Sequence, residues 1–298
     1  MELKFRKNGQ IFTSTAIAIV ALFLLIYGAY SLVSDREAVK TRVSTMESFL
    51  FSLEENLERE VYITGFRTLF LAQDTVAKRG QFIPDVNSFF EEAFFNGTIF
   101  GNSSDILIGA KYSDMLLFIK QRGESVNVNV SMSNPELSVF QEDAWNIAVL
   151  FSFNLTMIDN AGVASWNKKE EIKSLINIEG FEDPLYIVNS NGKVLYKINR
   201  SSGESLQNHL ENRLYQEDID APSFLKRLEG SIQPDSNGIE SLVDLGEFST
   251  QGLEIKDKSA VDHIYFSSDN PQASNVQGMP SWFKLDAAHI SKYNAIAS

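Results

Sequence analysis

Between Asn8 and Ser34 the chain carries no charged residue. Apolar residues dominate the run, as in Ala16–Ile17–Ala18–Ile19–Val20–Ala21–Leu22–Phe23–Leu24–Leu25–Ile26. A helix over Ile11–Val33 is about 35 Å long at 1.5 Å per residue, enough to cross a hydrocarbon core of about 30 Å. Tyr27 and Tyr30 sit near its far end, where interfacial aromatics are expected. Lys4, Arg6 and Lys7 precede the run, and Asp35, Arg36 and Glu37 follow it. Positive charge stays on the cytoplasmic side, so this pattern predicts a cytoplasmic N-terminus and an extracytoplasmic remainder. A cleaved secretory signal would have a shorter apolar region ending in a small-x-small site, and no Ala-x-Ala follows here. The expectation is a retained, single-pass anchor in the cell membrane.

The rest of the 298 residues is long enough for one large domain or two modest ones. The formal charge of −13 argues against a nucleic-acid partner, because phosphate binding needs clustered Lys and Arg. The chain has no cysteine, which removes disulfides, thiolate metal sites and thiol nucleophiles together.

The head Lys7–Asn8–Gly9–Gln10–Ile11–Phe12 resembles the class III signal of archaeal type IV pilin-like proteins. In that family a peptidase cuts between Gly and Gln, ahead of the apolar segment, so the helix is kept. The resemblance implies a cut between Gly9 and Gln10. Ser14 stands where the family usually has Glu.

Residues 34–80 read as a juxtamembrane amphipathic helix. Val39, Val43, Met46, Leu50, Leu53, Leu57 and Val61 form a heptad-type apolar stripe, opposite Glu47, Glu54, Glu55, Glu58 and Arg59. Gly65 reads as an interruption, and Arg79–Gly80 followed by Pro84 as the stop. Such a stripe packs either on its own domain or on the same helix of a neighbour. The pilin resemblance implies both.

Beyond the helix the pattern turns to strands. Ser125–Met132 alternates apolar and polar residues, and so does Trp145–Met157. An Asp159–Asn160–Ala161–Gly162 turn leads to a return strand from Val163, which predicts neighbouring antiparallel strands with one wet face. Asn189–Ser190–Asn191–Gly192–Lys193, between Leu185–Val188 and Val194–Ile198, reads as a β-hairpin. That hairpin is similar to one found in extracellular sensor domains of the Cache type. Leu206–Leu228 reads as largely helical, broken at Ala221–Pro222. Ile239–Phe248 and Val261–Phe266 read as strands, Asp269–Pro280 as the least structured stretch, and Trp282–Tyr293 as a terminal helix. The stretches Ile178–Leu185, Asp220–Leu225 and Gly238–Val243 are similar to a family of uncharacterised archaeal proteins with pilin-like N-termini. That resemblance implies a cell location and no chemistry.

Asn-x-Ser/Thr acceptors for N-glycosylation occur at Asn96, Asn102, Asn129, Asn154 and Asn199, and Asn129 and Asn154 fall on the expected solvent faces of their strands. His209, His263 and His289 lie far apart, with no His-Glu-x-x-His and no calcium-loop spacing, so each reads as an isolated surface or core histidine. Glu179, Glu182 and Asp183 read as a solvated turn. No Gly-x-Ser-x-Gly elbow and no phosphate-cradling glycine loop is present.

The combined expectation is an α+β protein. A cytoplasmic basic leader (1–10), a transmembrane helix (11–33) and the juxtamembrane helix (34–80) precede a β-rich unit (81–182) and an α+β unit (183–298), with antiparallel strands prevailing. The expected partners are the lipid bilayer, further copies of the chain or other pilin-like subunits. No catalytic residue, cofactor or metal is expected. The alternative is an extracytoplasmic sensor or solute-binding ectodomain working with a membrane partner.

Overall fold

The structure, a computed structural model, describes residues 4–203 and 205–298; the side chains of residues 4–11 and 35 fall outside the description. The class is α+β, with a long apolar N-terminal helix and mostly antiparallel sheets. Helix α1 (Lys4–Arg79) has no proline inside it and stops at Gly80, whose φ of +63° gives the left-handed residue that ends helices. After it come α2 (Val86–Asn96), β1 (Thr98–Ile99), β2 (Asn102–Ser103), α3 (Tyr112–Ser125), β3 (Val128–Asp143), β4 (Asn146–Asp159) and β5 (Ser165–Asn177). The later elements are α4 (Pro184–Asn189), β6 (Asn199–Arg200), α5 (Leu206–Asn212), β7 (Leu214–Glu217), α6 (Phe224–Leu228), β8 (Ile239–Glu240), α7 (Leu245–Thr250), α8 (Asp262–Phe266), β9 (Ala273–Asn275), β10 (Lys284–Asp286) and α9 (Ala287–Lys292). The sheets are ordered β1-β2, β3-β4-β5, β6-β7-β8 and β10-β9.

Residue contacts group the chain into two compact units, and α1, α3 and β3–β5 contribute to both. The first unit holds Met1–Glu54, Ile119–Ser131 and Leu155–Lys168. Its part of α1 is long and apolar enough to cross a membrane, and the apolar side chains from Phe12 to Val33 are exposed. The proposed cleavage point Gly9–Gln10 is helical in backbone, and its side chains lie outside the described ones. Further along, Arg42 is ion-paired to Asp159 and also donates to the Asn127 carbonyl at 3.3 Å. The β4–β5 turn closes as the spacing predicts, with Gly162 N donating to Asp159 O at 2.8 Å and Gly162 at φ +70°.

The second unit holds Glu55–Phe118, Met132–Asn154 and Lys169–Ser298. Gly65 does not interrupt α1. A Cβ there would lie 2.8 Å from Ile176 Cδ1 and 2.9 Å from Val149 Cγ2, so the missing side chain lets the helix approach the sheet closely. Phe94, Tyr112, Phe151 and Phe153 form an aromatic cluster, with ring centroids 4.9 Å apart for Phe151–Phe153 and 5.0 Å for Phe94–Phe151. Along the stripe, Met46, Leu53, Leu57 and Val61 are buried within the single chain, Val43 and Leu50 are half-buried, and Val39 is exposed.

Local chemistry overrules the alternation pattern in several places. Residues 184–189 are helical, not the first arm of a hairpin. Asp183 caps them, its side chain accepting from Leu185 N at 2.9 Å, and Pro184 occupies the first turn, where its missing N–H costs nothing. The segment called similar to a Cache-type hairpin therefore has no hairpin. Asp244 caps residues 245–250 in the same way by accepting from Glu247 N, so the expected strand over Ile239–Phe248 is only two residues of β8 followed by a helix. Asp262–Phe266 is helical as well, and only Val261, its extended N-cap, makes a β-bridge. Leu206–Leu228 contains β7 between two short helices, because Arg213 takes a left-handed φ of +54° that ends α5. The terminal helix starts only at Ala287, and Asp269–Pro280 is partly ordered, with β9 inside it and Val276 buried.

Candidate functional site

The second unit contains a polar interior assembled from sequence-distant segments. An antiparallel bridge pairs Leu242 with Val261, and Val243 N donates to Ala260 O at 2.7 Å while Asp262 N donates to Ser241 O at 3.0 Å. Glu240 and His263 each lie two residues from that bridge, His263 in the first turn of α8, and their side chains offer ligand atoms within 4.8 Å of each other. On the other side of β8, Gln216 of β7 is the register partner of Glu240 and donates from Nε2 to Glu240 Oε1 at 2.7 Å. Gly238, just ahead of β8, packs so tightly on the Ala221 and Asp218 carbonyls that any Cβ would collide with backbone.

Arg227 is the centre of the first half of this interior. It is fully buried, and its Nη1 donates to Asp183 Oδ2 at 2.6 Å and to Asp262 Oδ2 at 2.9 Å. Its Nη2 bonds the Ile239 carbonyl. Tyr215 OH donates to Asp183 Oδ2 at 2.9 Å, and Ser241 donates to Asp262 Oδ2 from both N and Oγ, at 3.0 and 2.7 Å. Buried charges cost several kcal/mol each unless paired and hydrogen-bonded, and nearly every polar atom here has a partner. Burial and the neighbouring Asp262 push Asp183 up, in spite of Arg227. Burial also works against Asp262, but Arg227 wins and holds it well below the usual carboxylate range. The solvated turn expected around Glu179–Asp183 is thus wrong at Asp183, which is wholly buried as a helix cap and ion-pair partner.

The second half surrounds Glu240. His289 Nε2 lies 3.1 Å from Glu240 Oε2, and its Nδ1 lies 2.8 and 2.7 Å from the two oxygens of Asp286. Asp286 caps α9, accepting from Ala288 N and His289 N, and takes a further bond from Ser259 Oγ at 2.8 Å. Burial disfavours the His289 imidazolium, yet the bonds to Asp286 and Glu240 raise it to about 10. His263 is buried beside it, ring centroids 5.8 Å apart, and its Nδ1 lies 3.5 Å from Asp262 Oδ1, too far for a good hydrogen bond. Glu240, His263 and His289 each offer a ligand atom, and these atoms all lie within 4.8 Å of one another. All three histidines are buried, as core histidines, and His263 and His289 both lie close to one carboxylate, Glu240.

A cleft of about 460 Å³ adjoins this interior, lined by Trp145, Arg200, His209, Gln216, Lys292 and Tyr293 among others. Lys292 is ion-paired to Asp218, and His209 Nε2 lies 2.9 Å from Ser201 Oγ. Trp145 Nε1 donates to Glu217 Oε1 at 2.6 Å, and Arg200 lies over the Trp145 ring at 5.1 Å. The Tyr293 hydroxyl is buried without a hydrogen-bond partner, and burial followed by the charge of Glu240 holds it well above its ordinary value.

Of the residues singled out in the sequence, the acceptors Asn96, Asn102, Asn129 and Asn199 are exposed and Asn154 is half-buried. None of them, and none of the stripe residues, belongs to this interior. Its members carry no recognisable spacing. The one local signal was Asp followed by Pro or preceding a short apolar run, which marks caps at Asp183 and Asp286. No protein-family model, no curated protein and no solved structure matches this chain.

Proposed function

We propose that this protein is a single-pass, membrane-anchored surface protein that acts through interaction and assembly and not through catalysis. The observation that carries the reading is the apolar helix segment from Phe12 to Val33, whose side chains stay exposed within the chain. Water penalises such a surface by roughly 25 cal/mol per Å², whereas a bilayer removes the penalty. The flanking charges favour a cytoplasmic N-terminus and an extracytoplasmic bulk. On this reading the segment also offers the surface for lateral packing on further copies or other pilin-like subunits, after cleavage between Gly9 and Gln10. External protease on intact spheroplasts should digest the bulk of the chain, and mass spectrometry of the mature N-terminus should find Gln10 or its pyroglutamate. A protected bulk sinks the topology; an intact Met1 sinks the pilin-like processing alone.

A second reading, a solute-binding ectodomain with a membrane partner, is favoured by the cleft, whose polar lining includes Arg200, Gln216 and Lys292. A thermal-shift panel of small anions against the full-length protein separates the two readings, since an assembly subunit shows no saturable shift.

A further inference from the structure

We propose that Glu240, His263 and His289 bind one divalent transition-metal ion, with Zn²⁺ the best match, and that Asp286 orients His289 for it. Two neutral imidazoles and one carboxylate are a ligand set that suits zinc, and three protein donors leave one position for water. The donor separations fit. Tetrahedral zinc with bonds of about 2.0–2.2 Å puts its donors about 3.4 Å apart. The Glu240–His289 edge already measures 3.1 Å, and every pair in the set lies within 4.8 Å. Closing the set requires a shift of about 1.5 Å at most, on that same geometry. His263 can supply it most readily, because its Nδ1 makes only a long contact of 3.5 Å with Asp262 Oδ1.

The surroundings fit as well. A metal-bound His nearly always gives its other ring nitrogen to a carboxylate, which fixes the tautomer. Asp286 holds His289 Nδ1 in that way and leaves Nε2 facing Glu240. The second Glu240 oxygen is held by Gln216. The charge balance points the same way. Asp183, Asp218, Glu240, Asp262 and Asp286 are all buried, against Arg227, Lys292 and the two histidines. A divalent ion taking the place of the His289 proton adds positive charge where carboxylates outnumber cations, and the displaced proton leaves to water. Ca²⁺ and Mg²⁺ want oxygen donors, so they match this set poorly.

The test uses the full-length protein in detergent, stripped with a chelator and titrated with Co²⁺. Uptake of a single ion with the visible bands of a tetrahedral nitrogen–oxygen site, displaced by Zn²⁺ and not by Ca²⁺, is expected. His263→Gln and Glu240→Gln should each abolish those bands, and Asp286→Asn should weaken affinity about 10–100-fold. Should Glu240→Gln fail to fold, His263→Gln decides alone, since that side chain's Nδ1 loses only a long contact of 3.5 Å with Asp262 Oδ1. The proposal is overturned if the wild-type chain takes up no Co²⁺, if the bands survive in folded His263→Gln, or if Ca²⁺ displaces Co²⁺ as well as Zn²⁺ does.

Discussion

Leu22, Leu24 and Leu25 are 58–72 % exposed, while Arg227, Asp183 and Asp262 are wholly buried. In the first region apolar groups face outward; in the second, charges face inward. Both arrangements are costly for a chain surrounded only by water, and each is rescued differently. For the leucines the proposed rescue is external: a different solvent, the bilayer. For the charges it is internal, because Arg227 spreads its donors over two carboxylates and two carbonyls, Tyr215 and Ser241 add bonds to the same Oδ2 atoms, and Leu185 N and His263 N hold the two Oδ1 atoms. Composition decides where the first region goes. Mutual geometry decides whether the second can exist.

The largest expected effect breaks the first region. Leu22→Asp with Leu25→Asp puts two charges near the middle of the span, at about 2.5–3.5 kcal/mol each. The variant should leave the membrane pellet on alkaline carbonate extraction. If it stays as firmly bound as the parent, the bilayer is not what covers this helix.

The second region should break next. Arg227→Met removes the shared partner and strands two buried carboxylates, a loss of about 3–5 kcal/mol. Arg227→Lys keeps the charge without the fork of donors, and should fall between parent and Arg227→Met in denaturation midpoint. Equal losses for both substitutions would mean that charge alone matters there.

A smaller effect probes the approach of α1 to the sheet. Gly65→Leu should destabilise by about 1–3 kcal/mol through overpacking against Val149 and Ile176. Gly65→Ala should cost less than Gly65→Leu, because a helix-propensity gain of about 1 kcal/mol partly offsets the close contacts with buried Val149 and Ile176.

The smallest effect concerns acid. Hydrogen bonding to Arg42 lowers Asp159 below its ordinary value, in spite of burial. A carboxylate depressed in the folded state contributes stability above its unfolded pKa of about 3.9 and loses it as pH falls through the lower folded value. Arg42→Gln should therefore lower stability slightly at neutral pH and flatten the acid limb, so that parent and variant converge as Asp159 is protonated. An unchanged acid limb would show that the pair does not contribute.

Much of the fold was legible where periodicity and solvent contrast agree. The long helix, its stop at Gly80 and the β4–β5 hairpin at Asp159–Gly162 follow from local rules. Leu185–Val188, Ile239–Phe248 and Val261–Phe266 were misread for a common reason. Short apolar runs look the same as buried strand and as buried helix, and the caps at Asp183 and Asp244 settle the matter for two of them. The candidate site was not legible at all. His263 and His289 have no spacing signature, and Glu240 meets His263 only through the Leu242–Val261 bridge.

By itself, then, the sequence determined that one end of this chain prefers oil, that a long helix follows, and that cysteine chemistry has no part. Those are properties of contiguous residues, written in composition and period. Tertiary structure alone decided which carboxylates share Arg227 and which histidines meet Glu240. Such pairings depend on strand register and on the burial of three distant segments, 239–243, 259–263 and 284–292, against one another. A charge is stable in that interior only once all its partners have arrived, so no single stretch of sequence can announce it.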